Sequence, residues 1–483
     1  MLDLSQCTVE YLLKALAKGE ITSVELVKEC LDTITRHNHS GKMINAVLEL
    51  NPEVLLQAEA SDRERANGKL RGPLHGIPIL LKDNIDTGDG MHTSAGSLAL
   101  QHHYAAQDSE VARRLRAAGA ILLGKANMTE WANFMSSHMK NGFSSRGGQV
   151  LNPYGPGVLD VGGSSSGPGA AVACGMIPAA IGSETSGSIL SPANANSVVG
   201  VKPTLGLISR CGIIPIMFSQ DTAGPLTQCV WDAAILLNVL AGKDEKDPAT
   251  LASPECITEY TAMLKKDALK GIRLGIVNQS YSNLEEERVA AMKRVIQELR
   301  EAGAEIVEIE EIPGYTAIQQ TRSTAMLHEF KPALNAYLKT VEPYLQIHSL
   351  SDVIAYNTAH TDQCLVHGQD LLEKADALSG SLTEPLYWQD RKQDYANSRE
   401  KGIDWALQQY SVHALIFRGN AAAGIGAKAG YPSVIVPAGY LASGQPFGIS
   451  FTASAWSEAR LLAYAYAYEQ ATLHRQAPQM QIE

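Results

Sequence analysis

Short apolar runs alternate with amphipathic stretches along most of this 483-residue chain. Near the start, VELVKECLDTITRHN repeats its apolar positions at helical spacing, behind a Thr22/Glu25 capping box. ELNPEVLLQAEASDRERANGK predicts a second helix ending near Gly68, so residues 1–70 read as helical. Ile79, Leu80 and Leu81 then form a short buried strand that delivers Lys82. DSEVARRLRAAGA predicts a capped helix stopped at Gly119, and ILLGKAN a second strand. This rhythm returns in GIRLGIVNQS, LEEERVAAMKRVIQELREAG and AEIVEIEEI, a strand–helix–strand unit. Residues 315–412 are mostly helical in pattern. ALIFRG, YPSVIVPAGY and QPFGISFTA predict late strands, and SEARLLAYAYAYEQAT a closing helix. Strands alternating with helices predict an α/β protein.

One stretch breaks the pattern. From Val161 to Pro192 the chain is dense in Gly, Ser and small apolar residues. Seven serines stand there, at 164, 165, 166, 183, 186, 188 and 191, and Glu184 is the only charged side chain. Such a backbone can approach another group closely and present hydroxyls to it. A flexible linker is the plain alternative, but the apolar AAVACGMIPAAIG between the serine clusters calls for burial. SVVGVKPTLGLISRCGIIPI downstream reads as loops and strands, and SQDTAGPLTQCVWDAAILLNVLAG becomes helical in its second half.

Composition narrows the partners. Hydrophobic content is 45%, charged content 19% and net charge -11. This excess of acid argues against nucleic acid or an acidic membrane as partner and favours a small substrate. The seven cysteines are scattered and include no C-x-x-C, the pattern of free thiols in a cytoplasmic protein. The N-terminus lacks the basic start and apolar run of a signal peptide, and no apolar run is long enough to span a bilayer. No helical His pair or carboxylate cluster suggests a metal, and no motif calls for a cofactor.

Several chemistries compete for the serines. Gly163-Ser164-Ser165-Ser166-Gly167 matches G-x-S-x-G formally, which would make Ser165 a nucleophile with His413 the nearest late base. The preceding NPYGPGVLDVGG is turn-rich, however, where that motif needs a strand. Ser137 to Lys140 matches S-x-x-K without its companion strings. GGSSSGPGA lacks the G-K-[ST] ending of a phosphate loop. One further reading takes Lys82 and the serines together, since a neutral lysine can serve as a serine's base. Its pKa must fall from about 10.4 by roughly 3, which costs about 4 kcal/mol, and burial behind Ile79–Leu81 can do this. A lysine with a buried stem and a solvated head is the bland alternative. A second serine could carry the proton from nucleophile to lysine. The Thr185-Ser186-Gly187-Ser188 turn offers successive N–H groups for an oxyanion. Physics alone does not choose among the serines.

At these residues the chain closely resembles the amidase signature family. The matching pieces are HGIPILLKDNID (75–86), GKANMTEWAN (124–133), NPYGPG (152–157), GGSSSG (162–167), GSETSGSILSPA (182–193), GVKPTLGLISRCGIIPI (200–216) and DTAGP (221–225). TSVELVKECL, AGYPSVIVPAGY and GQPFGISF also fit, so the likeness spans nearly the whole chain. The resemblance implies a single amidase domain over 1–483: N-terminal helices to 70, a signature core over 71–230, and the remaining sheet, a helical substrate side and the closing helix over 231–483. It implies a large mixed β-sheet covered by helices on both faces. It also implies a Ser–cis-Ser–Lys triad of Ser188 as nucleophile, Ser164 as bridge after a cis bond to Gly163, and Lys82 as base. Thr185, Ser186, Gly187 and Ser188 match the oxyanion hole, and Ser165 a supporting hydroxyl. No cofactor or metal is implied. The expected partner is a small-molecule or peptide amide, with no nucleic acid or membrane, and the chain a monomer or homodimer.

The chain departs from the usual pattern in two places. Ser164-Ser165-Ser166-Gly167-Pro168 replaces the common S-S-G-G, and Glu184-Thr185-Ser186-Gly187-Ser188 replaces D-T-G-G-S. ETSGS, GLISRCGIIPI and SQDTAGP are most similar to peptide amidases, which remove the C-terminal amide of peptides. A general aliphatic or aryl amidase is the near alternative, and the runner-up from a different class is the glutamine-hydrolysing subunit of a tRNA-dependent amidotransferase. That subunit has Arg-Gln where this chain has Leu190-Ser191. Pocket walls are expected from 125–140 and 315–420.

Overall fold

A computed structural model of the protein describes residues 2–254, 259–321 and 323–480. Thirteen strands run in chain order as β1 (Val47–Leu50), β2 (Pro78–Lys82), β3 (Ile121–Ala126), β4 (Phe143–Ser144), β5 (Gly148–Gln149), β6 (Ala179–Glu184), β7 (Val199–Lys202), β8 (Thr222–Thr227), β9 (Arg273–Val277), β10 (Glu305–Ile309), β11 (Ala414–Arg418), β12 (Ser433–Tyr440) and β13 (Pro446–Thr452). β4 and β5 form a small ribbon. The other eleven make one mixed sheet in the order β1-β3-β2-β6-β8-β7-β12-β13-β11-β9-β10. Two parallel zones, β3-β2-β6 and β11-β9-β10, lie either side of antiparallel strands. Helices cover the sheet on both faces, as in the expected α/β architecture.

The two central strands of the site are buried along their whole length: β2 is PILLK and β6 is AAIGSE. Strands enclosed on both faces read as continuous apolar runs, which is why the first was legible. Thr22 and Glu25 close the expected capping box on the helix Ser23–His37. The helix Glu110–Ala117 is capped by Ser109 and is followed by Gly119 at φ 85°, where the chain turns left-handed.

Two expectations needed correction. Residues 1–70 are not all helical: β1 pairs antiparallel with β3 at the sheet edge, and the second helix spans only Val54–Ala66. Glu49 and Leu50, read as the start of that helix, belong to the strand. SQDTAGPLT hides a fully buried central strand, β8, because Gly224 and Pro225 both disfavour strands. Gly224 is required there: a Cβ would sit 2.0 Å from the Val201 carbonyl oxygen of the neighbouring strand.

A second apolar cluster joins the helical region 325–387 to residues 95–135 and 214–217. Phe330, Leu334 and Leu338 on the helix Ala325–Leu338 pack with Leu350, Val353 and Trp131. This region forms a cap beside the sheet. Among the described residues, no helix is long and apolar enough to cross a membrane. The six described cysteines are free thiols; Cys256 lies outside the described residues.

Candidate active site

β2 pairs in parallel with β6, with Leu81 opposite Ile181, so Lys82 leaves its strand beside Gly182 and Ser183. Lys82 is fully buried, head included, which excludes the solvated-head reading. Its Nζ donates to Ser164 Oγ at 2.7 Å, to Ser183 Oγ at 3.0 Å and to the Ser183 carbonyl at 3.2 Å. Burial pushes its pKa down to about 7, while Glu184 and Asp221 act in the opposite direction.

Ser164 follows a cis peptide bond from Gly163. A Cβ at Gly163 would lie 2.6 Å from Asn141 Oδ1 and 2.8 Å from Thr129 Oγ1, so a larger residue there would have to displace both side chains. Ser165 lies just before the helix Ser166–Ala173. Its Oγ donates to the Ser183 carbonyl at 3.0 Å, and its amide donates to the Ser188 carbonyl at 3.1 Å. That amide bond ties the 185–188 loop against the Lys82–Ser164 pair. Gly182 permits the approach, since a Cβ there would stand 2.7 Å from Ser165 Oγ. Lys82, Ser164, Ser165, Ser183 and Ser188 are thus all buried and come from three stretches of chain, with Ser188 joined to the cluster through its backbone carbonyl.

Glu184 shapes the loop. Its Oε2 accepts from the amides of Ile189 and Leu190 at 2.6 and 2.9 Å, folding the loop back on the end of β6. Gly187 turns it at φ 96°. The amides of Ser186, Gly187 and Ser188 meet no protein acceptor among the described residues. Gly187 and Ser188 are buried, where unpaired backbone donors are uncommon, and Ser186 is exposed. Thr185 Oγ1 instead donates to Asp221 at 2.6 Å, and Asp221 also accepts from the amides of Ile216 and Met217. Burial raises the Asp221 carboxyl to about 6.

The competing readings find no partners. His413 bonds only with Arg273, and Ser137 bonds with Asp370. Ser183, Asn84, Glu184 and Asp221 have roles the sequence did not assign. Asn84 donates to Ser183 Oγ at 3.0 Å, two residues past Lys82. The strand ends at Lys82 and the chain turns at once, the Ile85 amide donating to the Lys82 carbonyl at 2.9 Å, so this contact comes from a turn that the sequence did not signal.

A cavity of about 450 Å³ opens beside Ser183, Glu184 and Thr185. Its core-side wall is Ile213, Ile214, Ile216 and Phe218; its cap-side wall is Pro332, Ala333, Ala336 and Tyr337. Ala132 adds to it from the expected 125–140 stretch, whereas the contribution of residues 210–222 was not expected. Ser183 and Thr185, neighbours of Lys82 and Ser188, line it, whereas Lys82, Ser164 and Ser188 do not.

Together the mixed α/β sheet and this site belong to a hydrolase class: the chain is a member of the amidase family, whose model matches residues 25–401. Its relatives make it an amidase. It is 43% identical to the peptide amidase of Stenotrophomonas maltophilia, with a TM-score of 0.93 and 99% of each chain covered. A probable amidase of Arabidopsis thaliana is 40% identical over 99% of this chain and 92% of its own length. A glutamyl-tRNA(Gln) amidotransferase subunit of Thermosynechococcus vestitus is 32% identical, with 98% of this chain and 99% of its own length covered.

Proposed function

We propose that the protein hydrolyses C-terminal peptide amides through an acyl-enzyme on Ser188, with Ser164 and Lys82 relaying the proton. The observation that carries this reading is the 2.7 Å contact between Lys82 Nζ and Ser164 Oγ in a fully buried setting. With a pKa near 7, a useful fraction of Lys82 is neutral at neutral pH. The neutral amine has two N–H bonds, which the Ser183 carbonyl and hydroxyl oxygens can accept. Its lone pair then faces the Ser164 hydroxyl.

Lys82 takes the Ser164 proton as Ser164 takes that of Ser188. The Ser188 oxygen bonds to the amide carbon, and the C=O electron pair moves onto oxygen, facing the free amides of the 185–188 loop. The C–N bond then breaks, and the relayed proton leaves with ammonia. Water then gives a proton to the same relay as its oxygen bonds to the acyl carbon; the bond from that carbon to the Ser188 oxygen breaks, and the proton returns to Ser188 as the acid leaves.

Two observations favour a peptide amide over free glutamine. The likeness to the peptide amidase is the stronger one and covers the whole fold. The cavity walls are also mainly apolar, and two of their charges are already engaged, Arg210 with Asp247 and Asp221 with Thr185 and two amides, while Lys246 is solvent-exposed. Free glutamine carries an ammonium and a carboxylate, both of which need partners.

The test is ammonia release from an amidated dipeptide, a simple aliphatic amide, an aryl amide and free glutamine, with Ser188→Ala as control. Preference for the dipeptide amide, abolished in the variant, is the expected result. Turnover of glutamine alone would overturn the substrate reading, and turnover surviving in Ser188→Ala the mechanism.

A further inference from the structure

The helix Ala325–Leu338 has two faces of opposite character. Phe330, Leu334 and Leu338, one turn apart, are fully buried in the apolar cluster of the cap. Pro332, Ala333, Ala336 and Tyr337 share another face and line the cavity. The middle of that face holds only methyl groups: Ala333 is half-buried and Ala336 exposed. An alanine on an open face packs against nothing, so its small size leaves the cavity wide without contributing to the core.

Both ends of this helix are tied to the sheet side. Near its start the fully buried Glu329 accepts from the Ser219 amide and hydroxyl at 3.1 and 2.7 Å. At its end the Tyr337 hydroxyl donates to Asp86 at 2.7 Å, and His103 reaches the same hydroxyl at 3.1 Å. The wall between these ties is therefore held at a fixed distance from Ile213, Ile214 and Ile216 across the cavity. A side chain enlarged at 333 or 336 would grow into the cavity, because the helix is not free to retreat.

We propose that Ala333 and Ala336 determine the size of the acyl group this amidase accepts, and that their small side chains admit bulky apolar groups, such as the side chain of an amidated phenylalanine or leucine. The proposal rests on the reading of the cavity as the acyl-side pocket of the amide-hydrolysing site. Leucine is close to alanine in helix propensity, so Ala336→Leu should fold. Ala336→Met, with a more adaptable side chain, is the second variant.

The experiment measures kcat/KM for N-acetyl-phenylalaninamide and N-acetyl-glycinamide in the wild type, Ala333→Leu, Ala336→Leu and Ala336→Met. The ratio of bulky to small substrate is expected to fall at least about tenfold in the leucine variants, the scale on which a few methylenes are discriminated in an apolar pocket. A ratio unchanged in all three variants, including an equal loss on both substrates, overturns the proposal. The ratio reports on the walls and not on the nucleophile. Turnover that survives Ser188→Ala would count against the Ser188 mechanism alone.

Discussion

The serine cluster, which reaches the cavity through Ser183, and the cap wall across from it are built on opposite terms. The cluster is polar, fully buried and closed: Lys82 has three acceptors, and Ser165, Ser183 and Glu184 each hold a neighbouring segment in place. The wall is apolar and open, with its polar groups only at the two ends of one helix. A buried polar network tolerates little change, because removing one member leaves the others desolvated and unpaired. An open apolar wall tolerates much. Chemistry should therefore be concentrated in the first region and substrate choice in the second.

The sharpest way to break this contrast is at Lys82. We expect Lys82→Met, similar in length and without a base, to lower kcat by about 10²–10⁴, the range typical of a missing general base, for bulky and small amides alike. A loss confined to one substrate would show that the cluster also selects. The wild-type acid limb follows from the same residue. Only the neutral amine accepts a proton, so kcat/KM should rise with pH through about 7 and be lost below it.

Glu184→Gln is expected to have the next largest effect. The amide keeps one oxygen for the Ile189 and Leu190 amides but loses the charge that strengthens both bonds. A loosened loop should reduce kcat on the order of tenfold, since a displaced oxyanion donor costs up to about 10²–10³. The change should appear in kcat, measured with saturating dipeptide amide, and not in the ratio of bulky to small substrates.

Much of the cluster was legible in the chain. Dense glycine and serine around an apolar segment, with a lysine at the end of an apolar strand, narrowed the site to a few hydroxyls, and the order of the family motifs singled out three of them. The supporting contacts were not legible. Ser183 touches Lys82 only because β2 and β6 lie side by side, and Asp221 meets Thr185 through the hidden strand β8. Gly224 and Pro225 removed the usual strand signal there. The wall was less legible still. Ala333 and Ala336 are ordinary helix residues until a cavity lies beside them, and Ile213 to Phe218 form an unremarkable apolar run. Residues that make chemistry are constrained in type and spacing, whereas residues that make space are constrained only by what lies opposite.

Asp221 tests the border between the regions, because it lines the cavity and also raises the pKa of Lys82. A carboxylate nearby favours the ammonium, so Asp221→Asn should let the Lys82 pKa fall further. The acid limb of kcat/KM would then move to lower pH, a displacement readable by assays between pH 5 and 8. An unmoved limb would mean that the field of Asp221 does not reach Lys82 and that the two regions are electrostatically separate.

The smallest effect is expected at the far end of the wall. Tyr337→Phe keeps the ring in the cavity and removes the hydroxyl that donates to Asp86 and meets His103. Asp86 is buried, and burial raises its carboxyl to about 6. The Tyr337 bond favours its charged form, so the variant should raise that pKa further, and the tie itself is lost at every pH. One hydrogen bond contributes about 1 kcal/mol, so KM for the bulky amide should rise roughly fivefold through a less firmly held wall, with the effect on kcat smaller than on KM. His103 remains held by Glu342 at 2.6 Å, which limits the damage to the end of one helix. If kcat fell more than KM rose, the tie would act on the serine cluster as well, and the division between a closed chemical region and an open selective one would fail at Tyr337.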